Sequence, residues 1–140
     1  MMKNIARYSI ASLVMASSLA FAAAHSEGPM VKAMDQDVAN GVVSASLVKA
    51  AENGWLVVHR TDAAMKPGPV VGYAPLRRGD NYDVAAILQE SVAPGDMLML
   101  MVHAETGGTA TGVFEYTLGA TEDGPIRVDD ALVMQVITAK

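Results

Sequence analysis

The chain alternates short apolar runs with turn-forming residues, and no long stretch shows convincing helical periodicity. The runs are rich in β-branched residues and recur at a spacing of about 8–12 residues, a rhythm typical of small β-sandwiches. The pattern predicts about eight strands, at Met30–Met34, Gly41–Ala50, Gly54–Arg60, Val70–Pro75, Tyr82–Leu88, Asp96–Ala104, Gly112–Leu118 and Ala131–Ala139.

Two segments leave a helical alternative open, at residues 39–52 and 84–90, because both contain alanine. Valine and glycine weaken that alternative. The predicted fold is therefore all-β, a single antiparallel β-sandwich of about seven to eight strands.

The segment Met97–His103 is apolar on both faces of its predicted strand. Side chains alternate in a strand, so Met97, Met99, Met101 and His103 share one face and the leucines share the other. Such a run indicates a central strand that is covered on both sides. Trp55, in the predicted strand Gly54–Arg60, is predicted to be an anchor of the core.

The amino-terminal residues resemble a secretory signal peptide. Lys3 and Arg7 precede an apolar run of small residues that ends near Phe21, and cleavage is predicted after Ala22 or Ala24. We therefore expect a signal peptide over residues 1–24 and one β-sandwich domain over residues 25–140. The expected location is periplasmic or secreted, with no membrane span after processing.

Charge and composition narrow the range of possible functions. The formal charge of −5 becomes −7 once Lys3 and Arg7 are removed, because eight basic residues then face fifteen acidic ones. A domain this acidic is not expected to bind nucleic acid. The chain has no cysteine nucleophile and no Gly-x-Ser-x-Gly motif. We therefore predict that it is not an enzyme, with no catalytic residues and no resident cofactor.

The methionines and histidines raise a different hypothesis. Thioether and imidazole ligands suit Cu(I), so His59, His103, Met99 and Met101 are candidate copper ligands. His59 and His103 each end an apolar run, and we expect them to be cross-strand neighbours at one end of the sandwich. His25, beside the cleavage site, is a further candidate for an amino-terminal copper site.

The same residues also have a purely structural interpretation. Methionine is an ordinary filler of apolar cores. An imidazole at a strand end can pin a loop by hydrogen bonding to a carbonyl, or to a carboxylate such as Glu105 or Asp62. Core packing with pinned loops is therefore the first interpretation, and copper binding is the alternative.

Several segments, read together, resemble a secreted prokaryotic domain family of unknown function. They are MDQDV, GWLVVHR, KPGPVVGYAPLRRG, MLMVHAETG and GVFEY, which span roughly Val31 to Ile137. The matching positions are Asp35, Gln36, Trp55, His59, Pro67, Gly68, Gly72, His103, Glu105 and Gly107. The resemblance implies an immunoglobulin-like sandwich and no reaction, and Met97 and Met99 are not part of its pattern.

The sequence thus predicts an exported, non-enzymatic β-sandwich domain that binds an unknown protein or small ligand in the cell envelope. The alternative is a periplasmic copper-binding protein that uses the His/Met cluster.

Overall fold

A computed structural model describes residues 27–140 of the chain, which are built from strands and loops. The predicted signal peptide, residues 1–24, and His25 lie outside the described residues. The all-β prediction is confirmed, and both helical alternatives are wrong, because strands run through residues 42–50 and 79–88. No helix long and apolar enough to cross a membrane occurs in residues 27–140.

Nine strands are present in the described part of the chain. They are β1 Met30–Lys32, β2 Val42–Ala50, β3 Gly54–Thr61, β4 Val70–Leu76, β5 Gly79–Leu88, β6 Met97–Ala104, β7 Arg127–Val128, β8 Ala131–Leu132 and β9 Met134–Thr138.

Seven of these strands form one antiparallel sheet in the order β1-β2-β5-β4-β3-β6-β9, and β7 and β8 form a separate small hairpin. The arrangement is that of a β-sandwich, because contacts of β1 and β2 with β6 place β1-β2-β5 as one layer against β4-β3-β6-β9 as the other. The layers join where β4 crosses β5, through the pairs Gly72–Leu88 and Tyr73–Ile87. A Cβ on Gly72 would lie 2.8 Å from the carbonyl oxygen of Ile87, so glycine permits this close approach.

Aliphatic side chains from the two layers fill the space between them. Leu56 and Val58 of β3 meet Leu98, Leu100 and Val102 of β6 in this interior. Alternation along the strands explains which residues belong to this core, because every second residue of a strand points to the same face. The core members, with their partly buried neighbours left out, are Val31, Val38, Val43, Ala45, Val48, Ala50, Leu56, Val58, Val71, Ala74, Leu76, Ala86, Val92, Leu98, Leu100, Val102, Val133, Ile137 and Ala139.

The outer face of β3 and β6 is buried as well, as the two-sided apolar pattern predicts. Residues 105–126, here called the cap segment, leave the end of β6 and return towards β7. Phe114 and Tyr116 of the cap segment pack over the outer face of the sheet. Trp55 is buried as predicted, but it lies in this outer cluster and not among the aliphatic residues between the layers.

The predicted strand over Gly112–Leu118 is wrong, because these residues form turns and irregular backbone within the cap segment. Gly112 and Gly119, at its two ends, have positive φ angles of 79° and 85°. Phe114 and Tyr116 of the segment pack down on the face of the sheet, whereas Val113 and Leu118 are exposed, and the backbone does not join the sheet edge.

Candidate functional site

The two histidines reach the same face from adjacent strands. In the β3–β6 register, His59 lies opposite Met99 and His103 lies opposite Trp55. The pair Val57–Met101 stands between them. The prediction that the histidines are cross-strand neighbours is confirmed, whereas the prediction that both sit at one end of the sandwich is wrong. They start from opposite ends of the strand pair, and their side chains lean towards each other.

The two imidazoles meet through their Nε2 atoms. The Nε2–Nε2 distance is 3.2 Å and the ring centroids are 5.3 Å apart, so both nitrogens lie between the two ring centres. Both residues are fully buried, at 0% and 1% exposure for His59 and His103. The structure thus brings together the two histidines that the sequence nominates.

The other ring nitrogens are held by backbone carbonyl oxygens. Nδ1 of His59 donates to the carbonyl of Gly68 at 2.7 Å, and Nδ1 of His103 donates to the carbonyl of Asp123 at 2.6 Å. A carbonyl can only accept, so Nδ1 carries the proton in both rings. In a neutral imidazole Nε2 is then a bare acceptor, and two Nε2 lone pairs face each other across the gap.

These hydrogen bonds confirm that the imidazoles pin loops through carbonyl groups. The suggested carboxylate partners are wrong. Glu105 accepts from the backbone amide of Gly112, and Asp62 accepts from the amide of Ala64.

The local backbone conformation places the carbonyl oxygen of Gly68 beside the ring of His59. The β3–β4 register shifts between Val58 and His59, as at a β-bulge. The loop after β3 then folds back, so the amide of Gly68 donates to the carbonyl of Arg60 at 2.7 Å. A Cβ on Gly68 would lie 2.6 Å from that same carbonyl oxygen, so only glycine fits this turn. The turn directs the Gly68 carbonyl at the ring of His59.

Burial sets the charge state of the pair. Desolvation lowers the pKa of His103 to about 4 and also lowers the pKa of His59. The hydrogen bonds to the carbonyls of Asp123 and Gly68 oppose this effect without cancelling it. At neutral pH the two rings are therefore uncharged, and each presents an unprotonated Nε2 to the other.

The methionines of the predicted set lie on the same buried face. Met99 and Met101 have no exposed surface, and neither belongs to the aliphatic core between the layers. Met99 lies opposite His59, and Met101 lies between the two histidines in the register. In the described residues, no group of three or more His, Asp or Glu side chains could hold a metal ion. Any ion at this site would therefore depend on two imidazoles and thioether sulfur.

Four of the five aromatic residues in the described part of the chain surround the pair. The ring of Tyr116 lies 4.5 Å from that of His103, edge to face, and Phe114 lies 4.3 Å from Tyr73. Trp55 contacts both Tyr73 and Phe114. This aromatic layer separates the imidazoles from water.

Asp123 is the site residue that the sequence does not reveal. It is 1% exposed, and its carboxylate accepts hydrogen bonds from the backbone amides of Thr106 and Glu115. It thereby ties both arms of the cap segment together while its own carbonyl holds His103. In the sequence it sits in TEDGP, which is indistinguishable from an ordinary polar turn. A φ of 45° at a non-glycine residue is its structural signature.

The fold and the site together define an antiparallel β-sandwich in which a buried imidazole pair lies beneath the cap segment, on the outer face of one layer. The chain belongs to the family described as a domain of unknown function, DUF7282, whose model matches residues 29–140. The resemblance to a family of unknown function is therefore confirmed. Comparisons with curated proteins and with solved structures return no significant match.

Proposed function

We propose that this protein is an exported, non-enzymatic binding domain, and that the imidazole pair of His59 and His103 binds one Cu(I) ion. The observation that carries the proposal is the 3.2 Å approach of two Nε2 atoms whose Nδ1 partners are both occupied by carbonyl groups. Two opposed lone pairs are unfavourable on their own, and a cation between them removes the conflict.

The donor set favours a soft monovalent ion. Structural zinc almost always takes four ligands, whereas the groups available here are two imidazoles and two thioethers, Met99 and Met101. Thioether sulfur selects Cu(I) over harder divalent ions. A single positive charge also costs less to bury than two.

The hydrogen bonds to Gly68 and Asp123 have the form of an outer shell around a metal ligand. Metal-binding histidines almost always donate their second ring N–H to a carbonyl or carboxylate, which fixes the tautomer and the ring orientation. Metal–imidazole bonds near 2 Å place two nitrogens about 4 Å apart across a linear ion, so the rings must separate by roughly 1 Å.

A binding role fits this geometry better than a catalytic one. A general base must come within hydrogen-bond reach of a substrate proton. Both imidazoles are buried beneath the cap segment, and their Nδ1 atoms are already engaged. Export rests on the positively charged and apolar pattern of residues 1–24. The envelope is the compartment in which we propose that the domain binds its ion.

The test is a Cu(I) titration of the processed protein, without oxygen, against the chromophoric chelator bicinchoninate. His25 is changed to alanine throughout, so that an amino-terminal site cannot contribute. We expect one Cu(I) to be withdrawn from the chelator, and Zn(II) at equal concentration not to displace it.

The decisive variants are His59→Asn and His103→Asn. Asparagine keeps a donor near the position of Nδ1, so the loops stay pinned, but it removes Nε2. Each change should lower the Cu(I) affinity at least tenfold. Met101→Leu, which conserves volume, should lower it less, and Met34→Leu, at an 80% exposed position, should leave it unchanged. The proposal fails if the wild-type protein does not compete, or if the two asparagine variants compete equally well.

A further inference from the structure

A second candidate site lies at the end of the sandwich, beside the turn between β4 and β5. A groove of about 520 Å³ is lined there by Trp55, Pro75, Leu76, Arg77 and Asn81, and by Glu105 and Gly112 of the cap segment. Its volume falls in the range of small-molecule sites. It adjoins a second groove of about 540 Å³, with which it shares Asn53 and Glu105.

The indole of Trp55 is the first sign of a ligand. Trp55 is 6% exposed and lines the groove, yet its Nε1–H is buried and has no hydrogen-bond partner among residues 27–140. A buried donor without an acceptor destabilises the fold, so few such groups persist in folded proteins. An acceptor atom supplied from the groove would satisfy it.

The second sign is a pair of uncommitted arginines on a fixed turn. The backbone amides of Arg77 and Arg78 donate to the side chains of Asn81 and Asn53. Asn81 also donates back to the carbonyl of Arg77 at 2.8 Å. Within residues 27–140 neither guanidinium takes part in an ion pair, since the three that are formed use Lys49 and Arg60. These hydrogen bonds hold the backbone of the turn, and within the described part of the chain neither arginine side chain has an ion-pair partner.

We propose that this groove binds a small organic carboxylate. The carboxylate pairs with Arg77 and offers an oxygen to the indole N–H of Trp55, and the hydrocarbon part of the ligand lies along the exposed ring of Pro75. A guanidinium recognises a carboxylate through parallel N–H donors, which gives charge-assisted hydrogen bonds. Glu105 lines the groove at the cap segment, where its carboxylate accepts a hydrogen bond from the amide of Gly112. Because Glu105 repels a second negative charge, the anion is expected at the opposite end of the groove, beside Arg77.

The test uses hexanoate as the probe, with hexanamide and hexylammonium as uncharged and oppositely charged analogues. The protein has a single tryptophan. Its indole N–H therefore gives one isolated resonance in a proton–nitrogen correlation spectrum. We expect hexanoate to move this resonance downfield with saturation, hexanamide to move it less, and hexylammonium to leave it in place. No metal is needed, so the outcome is independent of the imidazole pair.

Arg77→Gln should weaken hexanoate binding about tenfold, which corresponds to the loss of one charged hydrogen-bond partner. Arg77 is exposed, so the variant should fold normally. Lys66→Gln removes one charge at an exposed position outside the groove and is the matched control. An indole resonance that does not respond to hexanoate, or responds equally to hexanamide, would overturn the proposal. So would equal binding by the Arg77 and Lys66 variants.

Discussion

The two faces of strand β6 are equally buried but differ in what covers them. Leu98, Leu100 and Val102 face the opposite layer of the sandwich, where only aliphatic groups meet. Met99, Met101 and His103 face the cap segment, which brings aromatic rings and backbone carbonyls. Depth of burial therefore does not separate a structural core from a candidate site in this protein.

The two faces of β6 differ because different elements of the structure cover them. Hydrogen-bonded strands cover the inner face, and opening that face would break the fold. An irregular segment that carries several glycines covers the outer face, and local opening of such segments costs far less than global unfolding. We infer that the inner face supplies stability, and that the outer face is the one that can exchange an ion.

The largest expected effect is on the inner face. Leu100→Ala should lower the free energy of unfolding by about 2–5 kcal/mol, because it removes a fully buried side chain from close-packed surroundings. Urea unfolding measures this loss. The Cu(I) affinity of the folded variant should match that of the wild type. A large drop in affinity would show that the two faces are not separable.

The outer face should instead make stability depend on pH. His103 has a pKa of about 4 in the folded protein, lowered by burial, against about 6.5 when unfolded. Between these values the unfolded chain binds more protons, so the free energy of unfolding falls as pH drops from 6.5 to 4. The contribution is fully present above pH 6.5 and is on the order of 3 kcal/mol. His59 adds to it in the same direction.

The measurement compares urea midpoints at pH 7.5 and pH 4.5 for the metal-free wild type and for His103→Asn. The variant should lose clearly less stability across this interval than the wild type. Carboxylates with lowered pKa values, such as Asp96 and Glu115, act at lower pH and are the same in both proteins. Parallel pH profiles would contradict the assignment of uncharged imidazoles.

Local periodicity was sufficient to predict the inner and outer faces of β6. Alternation needs no knowledge of distant residues, so the shared face of Met99, Met101 and His103 follows from the sequence alone. The register against β3 does not, because it depends on how the whole sheet is paired. That is why the histidines were placed at one end of the sandwich, whereas they approach each other from two ends.

The cap segment marks the other limit of prediction from sequence. Residues 112–118 have the alternation of a strand, but Phe114 and Tyr116 cover a sheet face that only the folded protein possesses. Asp123 is similar, because its role depends on amides of Thr106 and Glu115 that are remote from it in the chain. The candidate ligands could be named in advance, whereas the groups that orient and cover them could not.

The smallest expected effect concerns the cap segment itself. Phe114 is only half-buried, so Phe114→Ala should cost roughly 1–2 kcal/mol of unfolding free energy, less than a fully buried phenylalanine. Its ring packs on Tyr73 and Trp55, and its loss should loosen the cap above the imidazoles while leaving His59 and His103 in place. Transfer of Cu(I) from the protein to bicinchoninate should therefore become faster, with the equilibrium affinity little changed.

Leu118→Ala, at a 54% exposed position of the same segment, is the matched control and should leave the rate unaltered. Equal transfer rates for the wild type and Phe114→Ala would mean that the ion does not leave through the cap, and the functional difference between the two faces of β6 would then need another cause.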